Sequence, residues 1–228
     1  MRKIILLGII VLSFMIQAGY LEDGNFYYQN RNYEKAEQLY LKAIQNGIPQ
    51  AFINLGNLYK EQKKYDKAEQ MYLKAIQNGI PQAFINLANL YYNQQKYDKA
   101  EQLYLKAIEK EVLEGYNNLG VLYLEQGKYD KAKNLFLIAI NYESIKEAAV
   151  QNLFKLSLHY VAEKDFKNGA ELMSIAAENG NLDAAQILAK TYYKMGEFDE
   201  AKKYFKIAAN LGDKEAEENY IKLIKAGY

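Results

Sequence analysis

Side chains able to do covalent or acid–base chemistry are few in this sequence. His159 is the only histidine, Thr191 the only threonine, and beyond residue 18 the serines are Ser144, Ser157 and Ser174. A nucleophile–base pair would have to use His159. That residue stands in the strongly apolar stretch Leu156-Ser-Leu-His-Tyr160 and reads as a structural histidine making one or two hydrogen bonds. There is no cysteine, which removes disulfides, thiolate catalysis and cysteine-based metal sites. Carboxylates such as Glu34, Glu37, Glu69 and Glu101 fall on solvated helix faces, and neither a calcium loop nor a glycine-rich phosphate loop occurs. The expectation is a protein that is not an enzyme, with no catalytic residue, no metal and no cofactor.

Charge narrows the partners. The formal charge of +1 comes largely from Arg2 and Lys3, and Arg31 is the only other arginine. Nucleic-acid binders need clustered cations to displace phosphate counterions, so nucleic acid is not an expected partner. What remains for function is surface, and the elements that shape it.

The chain opens MRKIILLGIIVLSFMIQAGY. A basic start, an apolar stretch over Ile4–Ile16 and the small residues Ala18 and Gly19 make the three-part pattern of a secretory signal. The apolar stretch would cover about 20 Å as a helix, short of the ~30 Å hydrocarbon core. Residues 1–18 are therefore expected to be a signal peptide. The alternative is an uncleaved anchor that tethers a structural or assembly subunit, the only way a membrane becomes a partner.

Beyond it the chain repeats itself. Lys42–Leu55 and Lys74–Leu87 are identical, thirty-two residues apart. Tyr33, Tyr65, Tyr97 and Tyr129 each open an aromatic-x-x-Ala signal at that spacing; Phe166 follows thirty-seven residues later and Phe198 thirty-two after that. Self-similarity at such a period marks stacked structural units. Five inserted residues, around Tyr142–Glu147, fall in the linker before the fifth unit.

Each unit carries two helical patterns. Tyr65, Ala68, Tyr72, Ala75 and Ile76 share one helix face, and Phe52, Leu55, Gly56 and Tyr59 another. Polar turns such as Gln62-Lys-Lys64 and Gln126-Gly-Lys128 are short enough to force antiparallel neighbours. Gly47 and Gly79 stop helices, and Pro49 and Pro81 begin the next. Gly56, Ala88, Gly120, Ser157 and Ala189 occupy one equivalent position, which accepts only small residues, as two closely approaching helices require. Asp23 stands where the first unit should carry leucine, so its first helix is expected to be weak.

The signature Phe52, Leu55, Gly56, Tyr59, Ala68, Tyr72, Ala75, repeated as Tyr116, Leu119, Gly120, Tyr123, Ala132, Phe136, Ala139, resembles the tetratricopeptide repeat. Linkers such as Ala176–Gly180 and Ala208–Gly212 are similar to the Sel1-like repeat. The resemblance implies an all-α, right-handed α-α superhelical solenoid of about six helix-turn-helix repeats. Their expected extents are about 19–48, 49–80, 81–112, 113–147, 148–181 and 182–213, with a C-terminal capping helix at 214–228.

It also implies that the first helices of the units line a concave face that binds another protein or a peptide. Carried over, the groove holds Ile53, Asn54, Asn57, Lys60, Ile85, Asn86, Asn89, Tyr92, Asn117, Asn118, Val121 and Leu124. An asparagine amide can bond both the N–H and the C=O of a peptide backbone, so the Asn54, Asn86, Asn118 ladder suits sequence-tolerant gripping. The same asparagines could instead bond neighbouring helices. The carboxylate clamp of some family members is not expected, because Ile53, Glu114 and Asn118 replace its cations.

The fifth unit differs. Val150, Leu153, Phe154, Leu156, Leu158, Tyr160 and Val161 are apolar nearly all round one helix, which is then buried on both sides or meets a partner. Phe154 and Leu158 are the candidate apolar binding patch. Taken together, the residues predict an exported bacterial scaffold, periplasmic or secreted, that binds a peptide or helix in its groove without catalysis.

Overall fold

The structure, a computed structural model, describes residues 19–228, so the signal expected over residues 1–18 lies outside the described residues. Among the described residues there is no strand. The helices are α1 (residues 19–29), α2 (Tyr33–Gln45), α3 (Gln50–Glu61), α4 (Tyr65–Gln77), α5 (Gln82–Asn93) and α6 (Tyr97–Glu109). They continue as α7 (Glu114–Glu125), α8 (Tyr129–Ala139), α9 (Glu143–Ala162), α10 (Phe166–Glu178), α11 (Leu182–Met195), α12 (Phe198–Asn210) and α13 (Lys214–Lys225). Two compact units divide at Val112 and Leu113.

In the N-terminal unit each helix packs on its neighbour in the chain. The small-residue position explains the closeness. A Cβ added at Gly56 would lie 2.6 Å from the Tyr72 ring, and one at Gly24 2.6 Å from the Tyr40 ring. The aromatic side chain of each second helix thus lies against the backbone of the first. Tyr40, Tyr72 and Tyr104 are almost wholly buried there. The expected weakness of the first helix is not seen: α1 forms, with the Tyr40 ring against Gly24 and the Tyr40 hydroxyl bonded to Asn25, while Asp23 faces solvent.

Turns within hairpins recur on one backbone conformation. Arg31, Lys63, Gln95, Gly127, Lys164 and Gly196 all have φ between 58° and 78°, in the left-handed region that glycine adopts without strain. Pro49 and Pro81 sit at the starts of α3 and α5, with φ of −65° and −63°, as their fixed ring geometry favours.

The C-terminal unit runs from α7 to α13. At Gly120 an added Cβ would lie 2.4 Å from the Phe136 ring, the same packing with phenylalanine in place of tyrosine. The insertion expected in a linker is instead helical, extending α9 to twenty residues. Residues Glu143–Glu147 contain neither glycine nor proline, so nothing stops the helix there. The extra turn reaches back to α7: Ile145 and Ala149 bury beside Tyr116, Tyr142 stacks on Tyr116, and Asn117 donates to the Ile145 carbonyl at 3.0 Å. A larger core joins Val150, Met173, Leu188, Tyr204, Phe205 and Leu223 of α9 to α13. The helix α13 lies on α12, its buried stripe being Ala216 and Leu223.

Candidate functional site

In the N-terminal unit, Asn54, Asn57, Lys60, Asn86, Asn89 and Tyr92 are all half-buried on first helices. Several amides are committed inside the fold. The Tyr72 hydroxyl donates to Asn57 Oδ1 at 2.7 Å, and the Tyr104 hydroxyl donates to Asn89 Oδ1 at 2.5 Å. Asn25 Oδ1 accepts from both the Tyr40 hydroxyl, at 2.9 Å, and Asn54 Nδ2, at 2.7 Å. These amides hold neighbouring helices together, the role that sequence left open beside peptide gripping. Ile53 and Ile85 do not belong to the surface: they are 3% and 4% exposed. The reason is register, since each lies one residue before the half-buried asparagine and turns into the core.

A second hydrogen bond links successive repeats. Tyr59 donates to Glu37 and Tyr91 to Glu69, each at 2.7 Å. Burial, followed by the bonded carboxylate, pushes both hydroxyl pKa values up to about 12.

In the C-terminal unit Asn118, Val121 and Leu124 are half-buried on α7, while Asn117 is buried and serves the core. Phe154 packs against the core of α9 to α12, so of the expected patch only Leu158 faces open space. Leu158 borders a groove of about 500 Å³. Its walls are Leu158 and Val161 of α9, Phe166, Ala170 and Met173 of α10, and Ile187, Leu188, Thr191, Tyr192 and Met195 of α11. Phe166 and Met195 are 63% and 65% exposed, so the apolar wall is open to solvent. Apart from Leu158 and Val161, the wall was not foreseen. Comparing the repeats position by position carries the signal, because Leu158 stands where Asn57 and Asn89 stand, and Ile187 where Asn54 and Asn86 stand.

No chemistry gathers around the groove. His159, expected to be a structural histidine, is exposed and stacks on Tyr129, ring centres 5.7 Å apart. On the helix its side chain points away from Leu156 and Tyr160, which take the buried face. Ser157 is buried and donates to the Phe154 carbonyl, and Ser174 pairs with the Tyr204 hydroxyl. Among the described residues no cluster of acids and histidine could hold a metal, and no helix is long and apolar enough to cross a membrane.

Antiparallel helix pairs with tyrosine-on-glycine contacts define an α-helical repeat protein, here with an open apolar wall. The chain belongs to the tetratricopeptide repeat family: two profiles of this repeat match it, one over residues 49–78 and 81–111, the other over 113–144 and 182–211, together more than half of its length. No curated protein sequence shows a match to it. Among solved structures it is similar to PilF of Pseudomonas aeruginosa, at 19% identity over 92% of this chain and 99% of that one, with a TM-score of 0.61. It is also similar to YrrB, described as a TPR protein with an unusual peptide-binding site, at 19% identity over 70% and 84% of the two chains, TM-score 0.52. A third likeness is to c5321 of uropathogenic Escherichia coli, which displays an SLR fold, at 22% identity over 92% of this chain and 49% of that one, TM-score 0.56. Membership of this family supports a protein–protein interaction scaffold.

Proposed function

We propose that this chain is a non-catalytic scaffold that captures another protein on the apolar groove of α9, α10 and α11. The observation that carries the reading is the groove itself, in which the exposed Leu158, Phe166, Ile187 and Met195 come together on one apolar wall. Water contact with such a wall costs roughly 25 cal/mol per Å² of apolar surface, and a partner would remove it. The likeness to a protein described as having a peptide-binding site agrees with this use.

The asparagine face of the N-terminal unit has a lesser role in this reading, since Asn57 and Asn89 already serve Tyr72 and Tyr104. The basic, apolar and small segments of residues 1–18 add export to the proposal. A photo-activated crosslinker placed at Leu158 or Ile187 in the producing cell tests it. Both positions should trap the same protein, and a crosslinker at Lys206 on the exposed side of α12 should not. Equal labelling at all three sites would remove the groove from consideration.

A further inference from the structure

We infer that the occupant of the α9–α11 groove is an amphipathic helix of the partner, not an extended peptide. This rests on the capture reading above and adds what kind of segment is captured. Earlier repeats place polar groups at the positions that form this groove. Asn57 and Asn89 correspond to Leu158, Tyr72 and Tyr104 to Met173, Asn54 and Asn86 to Ile187, and Glu37 and Glu69 to Ala170. In those repeats the residues form a bonded network: Tyr72 to Asn57, Tyr104 to Asn89, Tyr59 to Glu37 and Tyr91 to Glu69. At α9–α11 every member but the last tyrosine has become apolar. Tyr192, the counterpart of Tyr59 and Tyr91, shares the wall with Ala170, which stands in place of the glutamate, and stacks on Tyr204 with ring centres 5.7 Å apart.

The loss decides between occupants. An extended segment carries an unsatisfied N–H and C=O at every residue, and burying either without a partner costs about 1–3 kcal/mol. Of the ten wall residues only Thr191 and Tyr192 hold a side-chain hydrogen-bonding group. A helix satisfies its backbone internally and presents side chains alone. The dimensions agree. On α11 the wall runs from Ile187 to Met195, about 12 Å at 1.5 Å per residue, and anchors at i, i+4 and i+7 of a partner helix span about 10 Å.

A display library of random sixteen-residue peptides, selected on the full chain and counter-screened on the Leu158→Asn/Ile187→Asn variant, tests the inference. Both substitutions restore residues that earlier repeats carry, at positions exposed by 43% and 41%, so the fold persists. Thr191→Lys, also exposed, gives an independent block of the same wall. The expected result is a set of peptides with apolar residues at three- and four-residue spacing. They gain helical circular dichroism on binding, and both variants weaken them by about tenfold or more. Variant-sensitive peptides with alternating apolar residues or central prolines would overturn the helix while leaving capture at the groove intact. Recovery of no variant-sensitive peptide would overturn both.

Discussion

The Tyr72 hydroxyl donates to the amide oxygen of Asn57 at 2.7 Å, across the two helices of a single repeat. The two positions change together along the chain: Tyr40 with Asn25, Tyr104 with Asn89, then Phe136 with Val121 and Met173 with Leu158. A hydroxyl that needs an acceptor appears only where an amide supplies one. Where the hydroxyl is lost the amide is lost too, to Val121, to Leu158 and, opposite Phe205, to the exposed Lys190, because a buried polar atom without a partner is costly.

A double-mutant cycle at this pair reads the coupling. Tyr72→Phe and Asn57→Val should each lower unfolding free energy by about 1 kcal/mol. The double variant, which reproduces the Phe136–Val121 pairing, should lose less than the sum, with a coupling of about 0.5–1 kcal/mol. Urea denaturation followed by circular dichroism measures all four proteins; additive losses would deny the coupling.

Helix spacing depends on the small-residue position. Gly120→Val forces side-chain atoms into the Phe136 ring, where even a Cβ would lie at 2.4 Å, and should cost about 1–3 kcal/mol through overpacking. Gly56→Ala should be milder, since the next repeat places Ala88 opposite Tyr104 at the same point. Thermal melting of the two variants should rank them in that order.

Turn geometry offers a stabilising change. Lys63 and Gln95 hold φ of 59° and 60°, where the equivalent turns use Gly127 and Gly196. Lys63→Gly and Gln95→Gly should each raise stability by about 1 kcal/mol, the cost of a side chain in the left-handed region. The midpoint of urea unfolding should rise with an unchanged slope.

Alkaline pH should unfold the repeats through their tyrosines. Burial first, then the bonded glutamates, raise Tyr59 and Tyr91 to about 12, and burial raises Tyr40 to about 12. In the unfolded chain the same groups ionise near their ordinary value of about 10. The fold therefore favours their neutral form, its stabilisation is intact below pH ~10, and it is lost as pH rises towards about 12. Tyrosinate absorbance at 295 nm should show a late-titrating class, and Glu69→Gln should bring Tyr91 down by removing the charged acceptor.

Repeat register, helix pairing and the small-residue position follow from sequence alone. Each is a short-range pattern: apolar residues at three and four, glycine or proline at a boundary, and identical units at a fixed offset. The position shared by Gly56, Ala88 and Gly120 was legible for the same reason. What the amides do was not legible, because Asn57 looks the same whether its oxygen faces a peptide or the Tyr72 hydroxyl fifteen residues away. Nor was the docking of the Glu143–Glu147 turn, whose Ile145 packs beside Tyr116 of α7, because that contact joins residues far apart in the chain. The groove needed three helices brought side by side. Leu158, Met173 and Ile187 are separated along the chain, and only their packing turns separate apolar substitutions into one open wall.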